Sequence, residues 1–595
     1  MLFLNAKWML RRCGKNIKAI SRRTGISETM AQILANRGIT GADDIENFIN
    51  PSLNKLIDPA IMKDMKKGTE IIYRAIEKNK SIAVYGDYDV DGVVSTYILY
   101  SGLLRCGARV KYHIPDRVKE GYGMNIHSVE QLKSEGIEVI ITCDNGISAL
   151  DQIKRAKELG MTVVVTDHHD IPFDYSNEGI RKFLIPSADA VIDPKQKGCP
   201  YPFKQLCGAG VAFKFIQMLY RRFGMREEEA FGFIEYAAIG TICDVVDLLG
   251  ENRSIAKNGL RMLNNTKNIG MRALIYETSL NGKIINSYHV GFIIGPCINA
   301  TGRLDSASVA LELLLCRNSA RARELARKLH ELNLKRQQMT NEGLDKAIEK
   351  VENSDLKKDK VLVVREDDIH ESIAGIVAGR LKERYNVPSI VITKSADQSK
   401  GSGRSIEGYN MFEELLKCKK LMNNFGGHPL AAGLSIDTEN IDNLRKKLNE
   451  NCKLTDDDIV PRIRIDKRLP LEDISFGMLR DMGKLQPFGK GNPAPIFGEK
   501  NIEVFRVYFL GKDKNVLKLF CRLKSSLKKI DALDFNGGKK FRELILRTYG
   551  DRKGNEILNN NFHSIRMDFI FSPSINEFNG NKSIQIIVKD FRLTS

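Results

Sequence analysis

The chain has 595 residues, 42% hydrophobic and 28% charged, which reads as a soluble, globular protein of two to four domains. Its net charge of +18 and pI near 9.2 favour a polyanionic partner, nucleic acid first, over a basic surface kept only for solubility. Eleven cysteines without a C-x-x-C pair exclude a zinc framework and a disulfide scaffold and fit a reducing cytoplasm.

Residues 1–70 read as a helical lead-in. The opening "MLFLNAKWMLRRCGKN" is interrupted by Lys7 before an adequate apolar core forms, so no signal peptide is expected. The longest apolar stretch, "AFGFIEYAAIGTICDVVDLLG", carries Glu235, Asp244 and Asp247. No segment reaches the run of ~18 apolar residues that a membrane span requires. From about residue 80, short β-branched runs ("SIAVYG", "ARVKYHIP", "IEVIITCDNG", "MTVVVTDHHD", "ADAVIDP") alternate with helical stretches. That alternation predicts a parallel sheet covered on both faces, over 71–305. Residues 306–354 are rich in Ala, Leu, Arg, Lys and Glu and predict a long connecting helix. A second α/β block follows over 355–450. The remainder, 455–595, reads as strands and turns around a basic middle, "KDKNVLKLFCRLKSSLKKID", and fits a nucleic-acid-binding β-barrel of the OB type. The expected class is therefore α/β: two α/β domains joined by a long helix, plus a C-terminal OB-type barrel.

The stretch "GDYDVDG" places Asp87, Asp89 and Asp91 before Gly92, as the first half of a calcium-binding EF-hand would. Two features count against that reading: Ile98 stands where the bidentate Glu is needed, and a strand enters where a helix should. In open α/β sheets, sites gather beyond the carboxyl ends of the strands. Asp87, Asp89 and Asp91 follow one strand, Asp144 a second, and Asp167, His168 and His169 a third; Asp244 is a fourth candidate. Singly, each is more often a turn, a cap or a structural histidine. Together on one edge they can stay ionised only if cations balance them. Oxygen ligands with an imidazole suit Mn²⁺ or Mg²⁺, and two such metals can assist a phosphoryl displacement.

The segments "GDYDVDG", "TCDNG", "TDHHD" and "GTICDVV" resemble, in order and spacing, the four motifs of the DHH phosphoesterase family. The likeness continues through "YHIPDRVKEGYGMN", "CPYPFKQLCGAGVAFK", "NATGRLDSA", "KGSGRSI", "FGGHPLAAG" and "LQPFGKGNPAPIF", which look like the RecJ-type exonucleases of that family. The resemblance implies a DHH catalytic domain, a DHHA1 domain and an OB domain. It implies two divalent ions, Mn²⁺ or Mg²⁺. One would be held by Asp89, Asp144 and the further candidate Asp87; the other by Asp91, Asp144, His168 and Asp244. His169 would act at the scissile phosphate as donor or acid, with Asp167 orienting the cluster. Arg117, Arg303, Ser402 and Arg404 would bind a terminal phosphate, a task suited to arginine, and His428 the substrate. The plain alternative for each arginine is a surface salt bridge.

The implied activity is 5′→3′ hydrolysis of single-stranded DNA to mononucleotides in recombination and repair; the cysteine usage fits the cytoplasm, and nothing in the sequence demands more than a monomer. Single-strand-binding protein and a helicase are the implied partners. Mild departures from the motifs occur at Tyr85, Asp247, Ser372, Gly379 and Gly403. The alternatives are a DHH phosphoesterase for short oligoribonucleotides, cyclic dinucleotides or polyphosphate, and a scaffold that holds strands without cutting.

Overall fold

The apolar runs after residue 80 form an all-parallel sheet of five strands: β1 (Ser81–Tyr85), β2 (Arg109–His113), β3 (Val139–Thr142), β4 (Thr162–Thr166) and β5 (Ala190–Ile192), ordered β2-β1-β3-β4-β5. Successive side chains alternate between the faces. Ile82, Val84, Ile141 and Val164 join one large core, and Ala83, Ile140, Val163 and Val165 a second core on the opposite face. Burial on both sides is why these strands read as unbroken apolar runs rather than alternating ones. Each fully buried Val or Ile contributes about 1.5–3 kcal/mol.

The computed structural model describes residues 6–117, 120–121, 123–175, 181–395, 398–523, 529–578 and 580–594. The chain forms two units. One contains 51–455 together with 487–492. Here the first sheet is followed by α1 (Val90–Arg105), which opens directly from β1, then by α2 (Gly208–Arg222), α3 (Ile234–Cys243) and α4 (Gly295–Leu304). The expected connector is two helices, Ser308–Leu315 and the long α5 (Ser319–Glu352). The break falls at "CRNS", where Asn318 caps α5 by accepting from the amides of Ala320 and Arg321. The second sheet contains β6 (Leu362–Arg365), β7 (Ser389–Lys394), β8 (Ser399–Arg404), β9 (Asn424–His428) and β10 (Ala431–Ile436), ordered β9-β10-β8-β7-β6, with helix α6 (Glu371–Tyr385) against it.

The other unit combines residues 1–50 with 456–486 and 493–595. The N-terminal segment is helical after residue 17, but Lys7–Leu10 is a strand pairing in parallel with Arg462–Ile465. A strand whose partner lies some 450 residues away leaves no local periodicity to read. The five long strands β11 (Phe497–Leu510), β12 (Val516–Arg522), β13 (Lys529–Asp534), β14 (Ile565–Phe578) and β15 (Asn581–Leu593) close into a barrel, because β11 pairs with both β12 and β14. Residues 524–528 of the basic stretch lie outside the described residues, as do 118, 119 and 122 of the "PDRVKEGYG" motif. Among the described residues no helix is long and apolar enough to cross a membrane.

Candidate metal centre

The acidic residues gather where β1, β3 and β4 end. Asp89 caps α1, its Oδ1 accepting from the Gly92 amide at 3.0 Å. A Cβ at Gly92 would lie 2.5 Å from the Asp87 carbonyl oxygen, so the tight strand-to-helix turn requires glycine. Asp91, in the first turn of α1, accepts from the amides of Gly208 (2.6 Å) and Ala209 (3.0 Å) at the N-terminus of α2. Asp144 follows β3 in the left-handed region (φ 60°), which Asp tolerates better than most residues. Asp244 ends α3, and the exposed Val245 after it has φ 57°, a strained conformation for a β-branched residue.

His168 ties these elements together. Its Nε2 lies 2.9 Å from Asp144 Oδ1 and 3.8 Å from Asp91 Oδ2, and its Nδ1 lies 3.8 Å from Asp244 Oδ2. Asp167 accepts from the amides of Ile147 (2.9 Å) and His168 (2.7 Å) and lies 2.8 Å from His169 Nδ1. Potential ligand atoms fall into three groups, each within 4.8 Å: Asp87–Asp89–Asp144, Asp91–His168–Asp244, and Asp144–Asp167–His168–His169. Asp144 is shared by the first and third groups, and His168 by the second and third.

This arrangement fits divalent cations. Burial, then neighbouring carboxylates, push Asp87 up to about 8, Asp91 to about 6 and Asp244 to about 7, and raise Asp144 well above the carboxylate range. Asp87 Oδ1 is buried without a hydrogen-bond partner, a state that costs free energy unless a cation occupies it. Burial, then His169, lowers His168 to about 4, so its imidazole is the neutral, ligating form. Burial would lower His169 as well, but Asp167 outweighs it and lifts His169 to about 9; the same pairing lowers Asp167 despite its burial. Tyr85 belongs to none of the ligand groups: its hydroxyl accepts from Asn125 Nδ2 at 3.4 Å and its ring packs on His113.

Across from the carboxylates, three guanidiniums converge. Arg303, at the end of α4, donates to the Ser372 carbonyl oxygen. It is pushed down to about 10 by burial, then by Arg117, Arg336 and Arg404. Arg404 is lowered by burial and then Arg117, and Arg117 lies over the Tyr88 ring at 5.0 Å. Ser402 and Arg404 alternate on β8, so they share a face. A Cβ at Gly375 of α6 would lie 2.8 Å from the Arg404 guanidinium and 3.5 Å from Ser402 Cβ, so a side chain there would displace the guanidinium. No carboxylate among the described residues forms an ion pair with Arg117, Arg303 or Arg404. His428, on β9, lines a cavity of about 410 Å³ with His169, Asp170, Asn145 and Gln152.

Four residues beyond the sequence expectations shape the site. A Cβ at Gly208 would lie 2.6 Å from Asp144 Cβ, and one at Gly240 would overlap Asp91 Oδ1. Glu120 gathers the loop that carries Arg117: it accepts from the Asp116 amide and Asn125 Nδ2 (both 2.8 Å) and from Ser128, and lies 3.2 Å from His113 Nε2. Asp193, just past β5, is fully buried and pushed up to about 8 by burial, then Asp167. The glycines of "CGAGVAFK" opening a helix could have signalled Gly208; Gly240 and Glu120 leave no such mark.

Carboxylates and a histidine at the edge of a parallel sheet, beside an arginine cluster to which a second α/β fold contributes Arg404, define a metal-dependent phosphoesterase of the DHH type. Family models match accordingly: the N-terminal domain of the DHH family over 81–241, the DHHA1 domain over 358–454 and the RecJ OB domain over 465–590. The chain is 36% identical to the single-stranded-DNA-specific exonuclease RecJ of Bacillus subtilis, over 99% of this chain and 71% of that protein. It is 30% identical to RecJ of Salmonella typhimurium, over 94% and 95%. The crystal structure of RecJ from Thermus thermophilus in complex with Mn²⁺ matches with a TM-score of 0.81 at 25% identity, covering 99% of this chain and 80% of that one. The chain belongs to the RecJ family of exonucleases.

Proposed function

We propose that the protein degrades single-stranded DNA from the 5′ end to mononucleotides, by hydrolysis assisted by two divalent ions, in recombination and repair. The observation that carries this reading is the opposition of two features in one unit: carboxylate clusters sharing Asp144, and an arginine cluster that no carboxylate among the described residues pairs. In this reading Asp87, Asp89 and Asp144 hold one ion, and Asp91, Asp144, His168 and Asp244 the other. The bound ions supply charge neutralisation and water activation. Arg117, Arg303, Ser402 and Arg404 clamp the terminal 5′-phosphate and so set the scissile bond over the carboxylates. His169, held by Asp167, donates a hydrogen bond to the scissile phosphate, and His428 contacts the terminal nucleotide. Single-strand-binding protein and a helicase enter as partners on the family likeness alone, whereas the cytoplasm follows from the cysteine usage and a monomer meets every demand of this reading.

The test is incubation of the purified protein with Mn²⁺ or Mg²⁺ and end-labelled single strands, duplexes, cyclic dinucleotides and polyphosphate. Mononucleotide release from the 5′ end of single strands is expected. Cleavage confined to cyclic dinucleotides or polyphosphate would overturn the reading.

A further inference from the structure

A cavity outside the site described above is lined by cations. It measures about 590 Å³, against about 410 Å³ for the one that His428 lines. That lies within the range of about 300–1,000 Å³ usual for small-molecule sites. Four segments form its walls: the end of the helix Gly250–Leu263, the helix Ile269–Glu277, the loop 280–285 and the start of α5. None of them belongs to the sequence segments that carry the family likeness.

The lining has one consistent chemistry. Arg272, Lys283 and Arg323 each come from a different segment and are exposed, and among the described residues none forms an ion pair. Glu312 and Glu324, the acids near the start of α5, pair with Arg321 instead. No aspartate or glutamate lines the cavity. Glu235, behind Thr266 of the wall, is buried, accepts from the Thr266 hydroxyl at 3.0 Å and is raised by burial, which favours its neutral form. Three unpaired cations around one concavity attract anions, and two of them are guanidiniums, which match phosphate oxygens in pairs. Beside them the Tyr276 ring is 69% exposed and packs on no other ring among the described residues. A free ring face of this kind stacks on a base. The Asn281 carboxamide, also in the lining, makes no hydrogen bond among the described residues and offers both donors and an acceptor. Cations, a stacking face and a free carboxamide together describe a nucleoside phosphate, and three positive charges suit a di- or triphosphate better than a monophosphate.

One turn of chain, 264–268, ties this cavity to the helices that carry the carboxylates and Arg303. Asn268 caps the helix that bears Arg272 and Tyr276, accepting from the Met271 amide at 2.8 Å. Its Nδ2 donates to Tyr97 Oη at 3.4 Å, on α1, the helix of Asp91. Thr266 reaches Glu235 on α3, the helix that ends at Asp244. Asn264 clasps Ile285, accepting from its amide at 2.7 Å and donating to its carbonyl oxygen at 2.8 Å. Ile285 leads into the segment that continues as α4 and ends with Arg303. A ligand that shifts these walls therefore acts on three elements of the metal centre at once.

We propose that this cavity is a regulatory site for a nucleoside di- or triphosphate, with Arg272, Lys283 and Arg323 on the phosphates and Tyr276 on the base, and that its occupancy alters hydrolysis through the 264–268 turn. The binding half stands independently of the exonuclease reading; the regulatory half acts on whatever substrate the metal centre cleaves.

The test uses the full-length protein in EDTA, so that nucleotide phosphates are not held through metal. Calorimetric titration with ATP, GTP, AMP and tripolyphosphate is run on the wild type, Arg272→Ala/Arg323→Ala, Tyr276→Ala and Arg404→Ala, with circular dichroism to show that each is folded. ATP or GTP is expected to bind the wild type, and AMP more weakly. The double variant should raise Kd about tenfold or more. Tyr276→Ala should raise it about tenfold for nucleotides and leave tripolyphosphate unchanged. Arg404→Ala should bind nucleotides like the wild type. With excess Mn²⁺, saturating nucleotide should change hydrolysis of a 5′-phosphorylated 20-nucleotide thymidine strand about fivefold or more in the wild type, and not in the double variant. Asn268→Ala should keep nucleotide binding and lose that change. Absence of nucleotide binding, binding that survives loss of the two arginines, or binding that Arg404→Ala abolishes would overturn the site. AMP binding as tightly as ATP would overturn the polyphosphate assignment. Strand affinity that falls in the double variant without any nucleotide binding would give the cavity to the strand instead. Unchanged hydrolysis at saturation would overturn the regulatory half. A wild type that binds nucleotide but cuts no single strand would overturn the exonuclease reading alone, and hydrolysis of the substrate it does cleave then decides the regulation.

Discussion

The amide of Gly208 donates to Asp91 Oδ2 at 2.6 Å, and the same residue packs its bare Cα side against Asp144. One glycine at the start of α2 therefore positions carboxylates from two different strand ends. Gly208→Ala would bring a methyl group within 2.6 Å of Asp144 Cβ and 2.7 Å of its Oδ1. Overpacking of this kind costs about 1–3 kcal/mol. We expect Mn²⁺ affinity to fall about 10–100-fold, as when groups supporting metal ligands are disturbed. Calorimetric titration with Mn²⁺ checks this, alongside circular dichroism to show that the fold persists. Wild-type affinity in Gly208→Ala would remove the positioning role.

Asp144→Asn tests the shared ligand from both sides. Without metal, Asp144 is surrounded by Asp91, Asp89, Asp87 and Asp244, and burial with their repulsion raises its pKa. Removing its charge should stabilise the metal-free protein, seen as a higher Tm than wild type in EDTA. With excess Mn²⁺ the order should reverse. The wild type gains roughly 2.7 kcal/mol at a hundredfold excess over Kd, and the variant loses most of that gain. Hydrolysis should drop by roughly 10³-fold or more, the scale seen when a member of a catalytic unit is removed. Thermal melts with and without Mn²⁺ decide the matter; a variant that responds to Mn²⁺ like wild type would defeat the shared-ligand idea.

These two residues mark where sequence reading succeeds and where it stops. Asp144 was legible because the apolar run of β3 announces a buried parallel strand, and a carboxylate just past it must lie on the ligand-binding edge. The Asp and His clusters past β1 and β4 follow by the same logic. Gly208 carries only the weak mark of a glycine-rich helix start, and Gly240 none, since their importance lies in what a Cβ would strike across the fold. The Lys7–Leu10 strand was hidden for a related reason: its partner, Arg462–Ile465, is distant in sequence. The contacts of Leu248 with Lys490 and of Ser287 with Phe488 are likewise non-local.

Arg404 separates a terminal-phosphate clamp from general strand binding. It shares its surroundings with Arg117 and Arg303, and among the described residues no carboxylate forms an ion pair with any of the three. A charge-assisted hydrogen bond to phosphate is worth about 1.5–3 kcal/mol. Arg404→Ala should therefore raise KM roughly tenfold to a hundredfold for 5′-phosphorylated strands. It should change KM for 5′-hydroxyl strands much less. Arg404→Lys should fall between, because an ammonium keeps the charge but loses the planar fork. Steady-state kinetics on the two end types provide the comparison, and an equal penalty on both ends would rule out the clamp.

Glu120 gives a pH-dependent test of the loop that carries Arg117. Burial opposes its ionisation, but the Asp116 amide, Ser128, Asn125 and His113 outweigh that and hold it down to about 2, against 4.5 ordinarily. A depressed carboxylate contributes stability that is fully present above the unfolded value and lost as pH falls through the folded one. The window is thus from about 4.5 down to about 2. Glu120→Gln keeps the shape but loses the charge-assisted bonds, and should cost about 1–2 kcal/mol at pH 7. Urea unfolding at several pH values should give a constant difference from wild type above about 4.5, shrinking steadily below it. KM for 5′-phosphorylated strands should rise in parallel, because Arg117 loses its support. A stability difference that grows as pH falls, or an unchanged KM, would show that Glu120 does not hold this loop in place.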